Sequence, residues 1–211
     1  MPTLPIPAAL LCDMDGTLVD TEHAWLDVVR EFLAAEGRLA SASVLAPFAG
    51  ATIAAAADLL VRDQLTARSR EETARALDKA FTEAVAADLR VQPGALALLD
   101  RVRELGVPTA LVTSSERHVA DVVLSALGRH RFDVSFAEGE SERGKPHPDP
   151  YLNAASALDV APSACLAVED TPTGAAAALS AGCALLAVPS VPGITPGPRT
   201  TIVSSLTEVA F

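Results

Sequence analysis

The sequence predicts an α/β protein in which a doubly wound parallel β-sheet carries an inserted block of α-helices. From residue 93 onward, short apolar runs alternate with helical segments, a rhythm typical of strands covered by helices on both faces. Between residues 20 and 90, apolar residues recur at helical spacing and strand signals are few. The predicted organisation is a core domain, residues 1–19 and 91–211, interrupted by a helical domain, residues 20–90.

Composition limits the classes of function. The chain has 211 residues, of which 50% are hydrophobic and 20% charged, so it can bury a core and is not expected to be disordered. A net charge of −11 argues against nucleic acids and anionic membranes as partners. Cys12, Cys165 and Cys183 lie in apolar runs without metal-ligand spacing, and no signal peptide is recognisable. We expect buried thiols in a reducing cytoplasm.

The predicted core begins with a buried strand over residues 8–12, which stops at an aspartate. Later strands are predicted at residues 107–112, 134–136, 164–168, 183–188 and 201–203. Helices are predicted between them at residues 94–105, 116–127, 151–158 and 171–182, with Asp149 capping the third of these helices. Thr171-Pro172 matches an N-cap followed by proline at the first helical position, and Gly182 ends that helix.

The inserted block is predicted to contain at least three helices. In the first, five apolar residues follow helical spacing: Trp25, Val28, Val29, Phe32 and Leu33. Further helices are expected at residues 52–64 and 69–87. Trp25 could line a substrate pocket, but core packing is favoured. His23 could equally contact substrate or face solvent.

Polar residues follow the predicted strands, at the sheet edge where open parallel sheets bind ligands. They form four clusters: Asp13 with Asp15, Thr113 with Ser114, Lys145, and Glu169 with Asp170. Two pairs of carboxylates facing each other suit a hard cation such as Mg²⁺. Lys145 and the helix start after Ser114 could hold a phosphate opposite that cation.

The spacing of Asp13 and Asp15 has a chemical meaning. At a strand end, side chains two residues apart point to the same side of the chain. One carboxylate can then act as a nucleophile while the other donates or accepts a proton. Gly16 permits the tight exit of the chain that follows. Taken alone, Asp-x-Asp-Gly is as typical of a structural turn as of a catalytic site.

All four clusters together resemble the motifs of the haloacid dehalogenase superfamily. Residues 13–22, Asp-Met-Asp-Gly-Thr-Leu-Val-Asp-Thr-Glu, resemble its first motif. Thr113 resembles the second motif, Lys145 in Gly-Lys-Pro the third, and Glu169-Asp170 the fourth. The resemblance implies a Rossmann-like core, and the insertion resembles the helical cap of the β-phosphoglucomutase/phosphoglycolate phosphatase-like branch.

This resemblance implies a Mg²⁺-dependent phosphatase that works through an aspartyl-phosphate. Asp13 would be the nucleophile and a metal ligand, and Asp15 the acid and base, with its main-chain carbonyl on the metal. Asp170 would bind the metal directly, and Glu169 would bind it indirectly. The residues implied in phosphate binding are Gly16, Thr17, Thr113, the Ser114 amide and Lys145.

Two alternatives stay open. One is a phosphomutase of the β-phosphoglucomutase type, although that enzyme's cap histidine is replaced here by Trp25 and its basic residue after the cap glycine Gly50 is missing. The tryptophan instead resembles sugar- and polyol-phosphate phosphatases. The other is a non-catalytic binding protein. Four intact motif residues argue against it: Asp13, Asp15, Lys145 and Asp170. The predicted partner is a small phosphorylated metabolite, and the predicted oligomeric state is a monomer.

Overall fold

The structure is a computed structural model that describes residues 4–211. The chain divides into two compact units. One unit is Asp20–Arg90, and the other combines the residues up to Val19 with Val91–Phe211. The function of Asp20–Arg90 as a cap domain stays a prediction.

Eight strands form two sheets within the described residues. The strands are β1 Ala9–Cys12, β2 Val19–Asp20, β3 Arg90–Val91, β4 Thr109–Val112, β5 Val134–Phe136, β6 Cys165–Glu169, β7 Ala184–Ala187 and β8 Thr200–Ile202. Six of them form a parallel sheet in the order β5-β4-β1-β6-β7-β8, whereas β2 and β3 pair separately. Chain order reverses on either side of β1, which is the topological switch point of an open α/β sheet.

Helices cover this sheet. In the larger unit they are α5 Ala95–Glu104, α6 Arg117–Leu127, α7 Asp149–Ala157 and α8 Pro172–Ala181. Side chains of α7 and α8 pack with Leu11, Val112 and Ala167 into a fully buried cluster. Leu10 and Leu111, one residue out of phase, are equally buried, and α5 packs near β4. The predicted α/β fold with a doubly wound parallel sheet is confirmed.

Strand register brings the polar clusters together. Cys12 in β1 pairs with Leu111 in β4 on one side and with Val168 in β6 on the other. Because the strands are parallel and in step, Asp13 and Glu169 reach the same sheet edge, where β4 also ends. This register, rather than sequence proximity, creates the site.

The smaller unit is helical, as predicted. Its helices are α1 Glu22–Ala35, α2 Ala42–Leu45, α3 Ile53–Arg62 and α4 Arg70–Ala87. Trp25 is buried in its core, where its indole N–H donates to the Phe48 carbonyl (2.8 Å) and its ring meets Phe81 edge-on. His23 is exposed and pairs with Asp27 one helical turn further on. No helix within residues 4–211 is both long and apolar enough to cross a membrane.

One local prediction is wrong. Asp149 does not cap the helix that follows it, because α7 begins at Asp149 itself and Pro148 holds the cap position. The Asp149 carboxylate pairs instead with the guanidinium of Arg143 (3.1 Å for each bond). Proline fits the first turn because the N–H that it lacks has no partner there, so Pro150 is accommodated as the second residue of a helix that begins at Asp149.

Candidate active site

Asp13 follows β1, the central strand of the site. Its main-chain N–H donates to the Val168 carbonyl (3.0 Å), which fixes the residue between β1 and β6. Its side chain is buried, and Oδ1 accepts a hydrogen bond from Lys145 (2.7 Å). Oδ2 is also buried, yet it has no hydrogen-bond partner among the described residues. Such an atom is costly unless something else satisfies it.

Asp15 is held by the residues that follow β4. Its Oδ2 accepts one hydrogen bond from the Thr113 hydroxyl (3.1 Å) and another from the Ser115 hydroxyl (2.7 Å). Thr113 also accepts a hydrogen bond from the main-chain N–H of Ser115 (3.0 Å). Thr113 and Ser115, which follow β4, therefore orient the carboxylate of Asp15, which follows β1.

Lys145 links two carboxylates. Its ammonium donates to Asp13 Oδ1 (2.7 Å), to Glu169 Oε1 (2.6 Å) and to the Val112 carbonyl (2.9 Å). An ammonium has three protons, so all its donors are engaged by protein acceptors. The Lys145 side chain is only 5% exposed. In this arrangement it offers its positive charge to the site rather than a free proton.

Asp170 lies beside these groups and is held by two hydroxyls. Thr17 donates to its Oδ1 (3.2 Å), and Ser190, from the loop after β7, donates to its Oδ2. Ser190 also donates its main-chain N–H to the Asp170 carbonyl (3.1 Å). The Thr17 hydroxyl, predicted to bind phosphate, is thus directed to a carboxylate.

Two glycines make room for the acidic side chains. A Cβ at Gly16 would collide with Asp170 Oδ2, and its φ of +80° also disfavours any other residue. A Cβ at Gly174, in the first turn of α8, would coincide with the Glu169 carboxylate. Both glycines are therefore required by packing around the acids.

The acidic cluster fits a divalent cation. One oxygen each from Asp13, Glu169 and Asp170 lie within 4.8 Å of one another, and all three residues are buried. Carboxylate oxygens are the donors that hard cations prefer. Asp13 Oδ2, which has no hydrogen-bond partner in the described part of the chain, supports this fit, because a cation would satisfy it.

Burial and mutual repulsion perturb these acids. Burial raises the pKa of Asp13 well above its ordinary value; Lys145 opposes the rise, and Glu169 and Asp170 add to it. Burial likewise raises the pKa of Asp170 to about 6, against the hydrogen bond from Ser190. Burial would lower the pKa of Lys145, but the charges of Asp13 and Glu169 outweigh it and raise that pKa. The ammonium is therefore charged at neutral pH.

These shifts predict that thermal stabilisation by Mg²⁺ grows between pH 5 and pH 7.5. The raised pKa of Asp170 favours its neutral form in the metal-free fold. The neutral Asp170 side chain therefore stabilises the metal-free fold fully at pH values below the pKa of an unfolded aspartate. This stabilisation is lost as the pH rises through about 6. A cation needs the ionised carboxylate, so below that pH binding must displace a proton, and affinity falls roughly tenfold per pH unit for each proton.

The measurement is the shift in Tm with and without Mg²⁺ across this pH range. Asp170→Asn should lose most of the shift. The exposed Asp159, which lies after α7, provides a control, and Asp159→Asn should keep the full pH-dependent shift. An equal Mg²⁺ shift at pH 5 and pH 7.5 in the unmodified protein would contradict the prediction.

The structure brings together every residue predicted for the site from the larger unit: Asp13, Asp15, Gly16, Thr17, Thr113, Lys145, Glu169 and Asp170, with Ser114 beside Thr113. Sequence reasoning missed Ser115, Tyr151 and Ser190. Ser115 carried a signal, because it follows directly on Thr113 and Ser114 at a strand end. Tyr151 sits on a helix and Ser190 in a loop rich in proline and glycine, and neither carried one.

Comparison with known proteins agrees with this geometry. Residues 7–182 match the family model described as haloacid dehalogenase-like hydrolase. Hexitol phosphatase A of Escherichia coli K12 is 35% identical over 192 residues, covering 88% of this chain and 84% of that protein. Fructose-1-phosphate phosphatase YqaB, also of E. coli K12, is 33% identical over 178 residues, covering 83% and 93%.

A solved structure of another protein has the same fold. CbbY from Rhodobacter sphaeroides, in complex with phosphate, superposes with a TM-score of 0.83 at 26% identity, covering 96% of each chain. The chain belongs to the haloacid dehalogenase-like hydrolase family. The prediction of a phosphatase of this family is confirmed by the matched family model together with the phosphatase relatives.

Proposed function

We propose that the protein is a Mg²⁺-dependent phosphatase of small phosphorylated metabolites, sugar or polyol phosphates, and that Asp13 is its nucleophile. The observation that carries the proposal is the environment of Asp13. One oxygen of this carboxylate accepts a hydrogen bond from Lys145. The other is buried, has no partner within residues 4–211, and lies beside two further acids. A carboxylate in that setting is poised for a cation and for an approaching phosphate.

The proposed reaction has two steps. The Asp13 carboxylate attacks phosphorus, the bond from phosphorus to the alcohol oxygen breaks, and Asp15 donates its proton to that oxygen. Asp15 then takes a proton from water as the water attacks the phosphorus of the aspartyl-phosphate, and the bond between phosphorus and the Asp13 oxygen breaks. The products are the alcohol, inorganic phosphate and the restored Asp13. The Thr113 and Ser115 hydroxyls support this role, since they orient Asp15 beside the nucleophile.

The other residues provide charge and binding. Asp13 and Asp170, with the Asp15 carbonyl, would hold Mg²⁺, and Glu169 would support them. When bound, Mg²⁺ would supply positive charge that lets a carboxylate meet a phosphate dianion. Lys145 contributes charge of the same sign next to Asp13. The groups proposed to contact phosphoryl oxygens are Gly16, Thr17, Thr113, the Ser114 amide and Lys145. Because the Thr17 and Thr113 hydroxyls and the Lys145 ammonium donate to protein acceptors here, each would have to exchange such a bond to reach a phosphate.

The proposed substrate class is supported by the relatives. Hexitol phosphatase A and fructose-1-phosphate phosphatase YqaB are both named for phosphates of small polyhydroxylated molecules. We also propose that residues 20–90 form the cap domain. Trp25 supports a phosphatase over a mutase, because the position implied for a mutase histidine is occupied by a residue of the helical core.

The test is a screen of phosphorylated hexitols, hexoses and generic phosphate esters for released phosphate. We expect hydrolysis with Mg²⁺ and none after its removal by EDTA. Conversion of β-glucose 1-phosphate to glucose 6-phosphate with a bisphosphate primer, in place of phosphate release, would identify a mutase. Failure to release phosphate from any compound of a broad panel would overturn the proposal and favour a binding protein on the same fold.

A further inference from the structure

We propose that Tyr151 is a positioning residue for the reaction, whose hydroxyl and ring hold Glu169 and Lys145 so that the ammonium stays on Asp13. The inference rests on the proposed function of Asp13 as the nucleophile. Tyr151 belongs to α7, and none of the four polar clusters at the strand ends includes it.

The contacts of Tyr151 converge on one oxygen. Its hydroxyl donates to Glu169 Oε1 (2.6 Å), the same atom that accepts the ammonium of Lys145 (2.6 Å). The centre of its ring lies 5.2 Å from Lys145 Nζ, within the range of a cation–π contact. Tyr151 and Glu169 are completely buried, so water cannot replace either contact. Tyr151 therefore touches both members of the pair that faces Asp13.

The hydrogen bonds around Glu169 show how the Tyr151 hydroxyl affects Lys145. Glu169 Oε2 accepts hydrogen bonds from the Asp170 N–H (3.2 Å) and the Thr171 hydroxyl (3.4 Å). Glu169 Oε1 accepts hydrogen bonds from the Tyr151 hydroxyl and the Lys145 ammonium. Without the tyrosine hydroxyl, Lys145 would be the single donor to Oε1. The buried carboxylate would then draw the ammonium toward itself and weaken its bond to Asp13.

A phenylalanine tests this step, because it keeps the ring and removes only the hydroxyl. We expect Tyr151→Phe to fold, to lower kcat about tenfold, as loss of supporting hydrogen bonds around a site commonly does, and to leave KM close to its original value. Thr109→Val is the matched control. It removes a buried hydroxyl at the other end of β4, and we expect both constants to stay unchanged.

A second readout needs no turnover. The chain has two lysines, Lys145 and Lys79, and the Lys79 side chain is 78% exposed. In a ¹H–¹⁵N spectrum of the side-chain ammonium groups, Lys145 should exchange slowly with water and Lys79 rapidly. Tyr151→Phe should shift the Lys145 resonance and speed its exchange, while Lys79 stays unchanged as the internal control.

A double-mutant cycle separates positioning from packing. Glu169→Gln removes the charge through which Tyr151 acts, so adding Tyr151→Phe to that variant should lower kcat by much less than tenfold. Additive effects would point to a merely structural role and overturn the inference. So would an unchanged kcat in Tyr151→Phe beside an active unmodified protein. If the Lys145 resonance responds but the unmodified protein releases no phosphate, the proposed function fails while the positioning contact stands.

Discussion

Asp13→Asn is expected to lower kcat by at least about 10⁴-fold, the scale on which loss of a nucleophile acts. The amide keeps the shape of the side chain but cannot form the acyl-phosphate that the proposed mechanism requires. It also removes the negative charge that Lys145 and the cation would share. Released phosphate, measured with the best substrate of the screen, is the readout.

The same variant should fold normally. Asparagine keeps the shape of the aspartate, and its amide oxygen can still accept the hydrogen bond that Lys145 donates to Asp13 Oδ1. We therefore expect a Tm in EDTA close to that of the unmodified protein. In Mg²⁺, the variant should lose the stabilisation that a carboxylate ligand provides. Asp159→Asn should retain full activity, and near-normal hydrolysis by Asp13→Asn would rule out Asp13 as the nucleophile.

Gly174→Ala is expected to disrupt the site without touching a reacting atom. The new methyl group would occupy the place of the Glu169 carboxylate, which is buried and bonded to Lys145 and Tyr151. Breaking a buried ion pair costs about 3–5 kcal/mol, whereas alanine gains about 1 kcal/mol over glycine inside a helix. The net loss of about 3 kcal/mol corresponds to a fall in Tm of roughly 10 °C.

Activity should fall further than stability alone explains. A displaced Glu169 no longer anchors Lys145, so we expect kcat to drop about 100-fold at temperatures where the variant is folded. Gly197→Ala is the matched control, because a Cβ there meets only ordinary contact at 3.7 Å from Thr200 and should cost little. A Gly174→Ala protein with the original Tm and kcat would show that the carboxylate can move freely.

Much of the site was predictable because parallel strands carry their functional residues at their carboxyl ends, which lie at one edge of the sheet. Asp13 follows a buried apolar run, and so does Thr113, while Glu169 ends one. A strand buried on both faces reads as a continuous apolar segment, and its end is marked by the first polar residue. Predicting that these residues lie close together therefore required only the assumption of a parallel sheet.

Other features could not be predicted because they depend on contacts between distant elements. Tyr151 looks like one more apolar residue of α7, and only the packing of α7 against β1, β4 and β5 of the sheet brings its hydroxyl to Glu169. Ser190 reaches Asp170 through a loop whose path no local pattern specifies. Asp149 looked like a cap, but the proline beside it allowed the helix to start earlier.

The sequence by itself determined the α/β class, the helical insertion and the order of the polar residues along the sheet edge, because apolar periodicity and turn residues are local properties. The tertiary structure decided how those residues are connected. It directed all three protons of Lys145 to protein acceptors and placed Gly174 against Glu169. Among the residues that the structure describes, it left one oxygen of Asp13 without a partner. Hydrogen bonds and close packing act over a few ångströms between residues far apart in the chain, so only the folded arrangement specifies them.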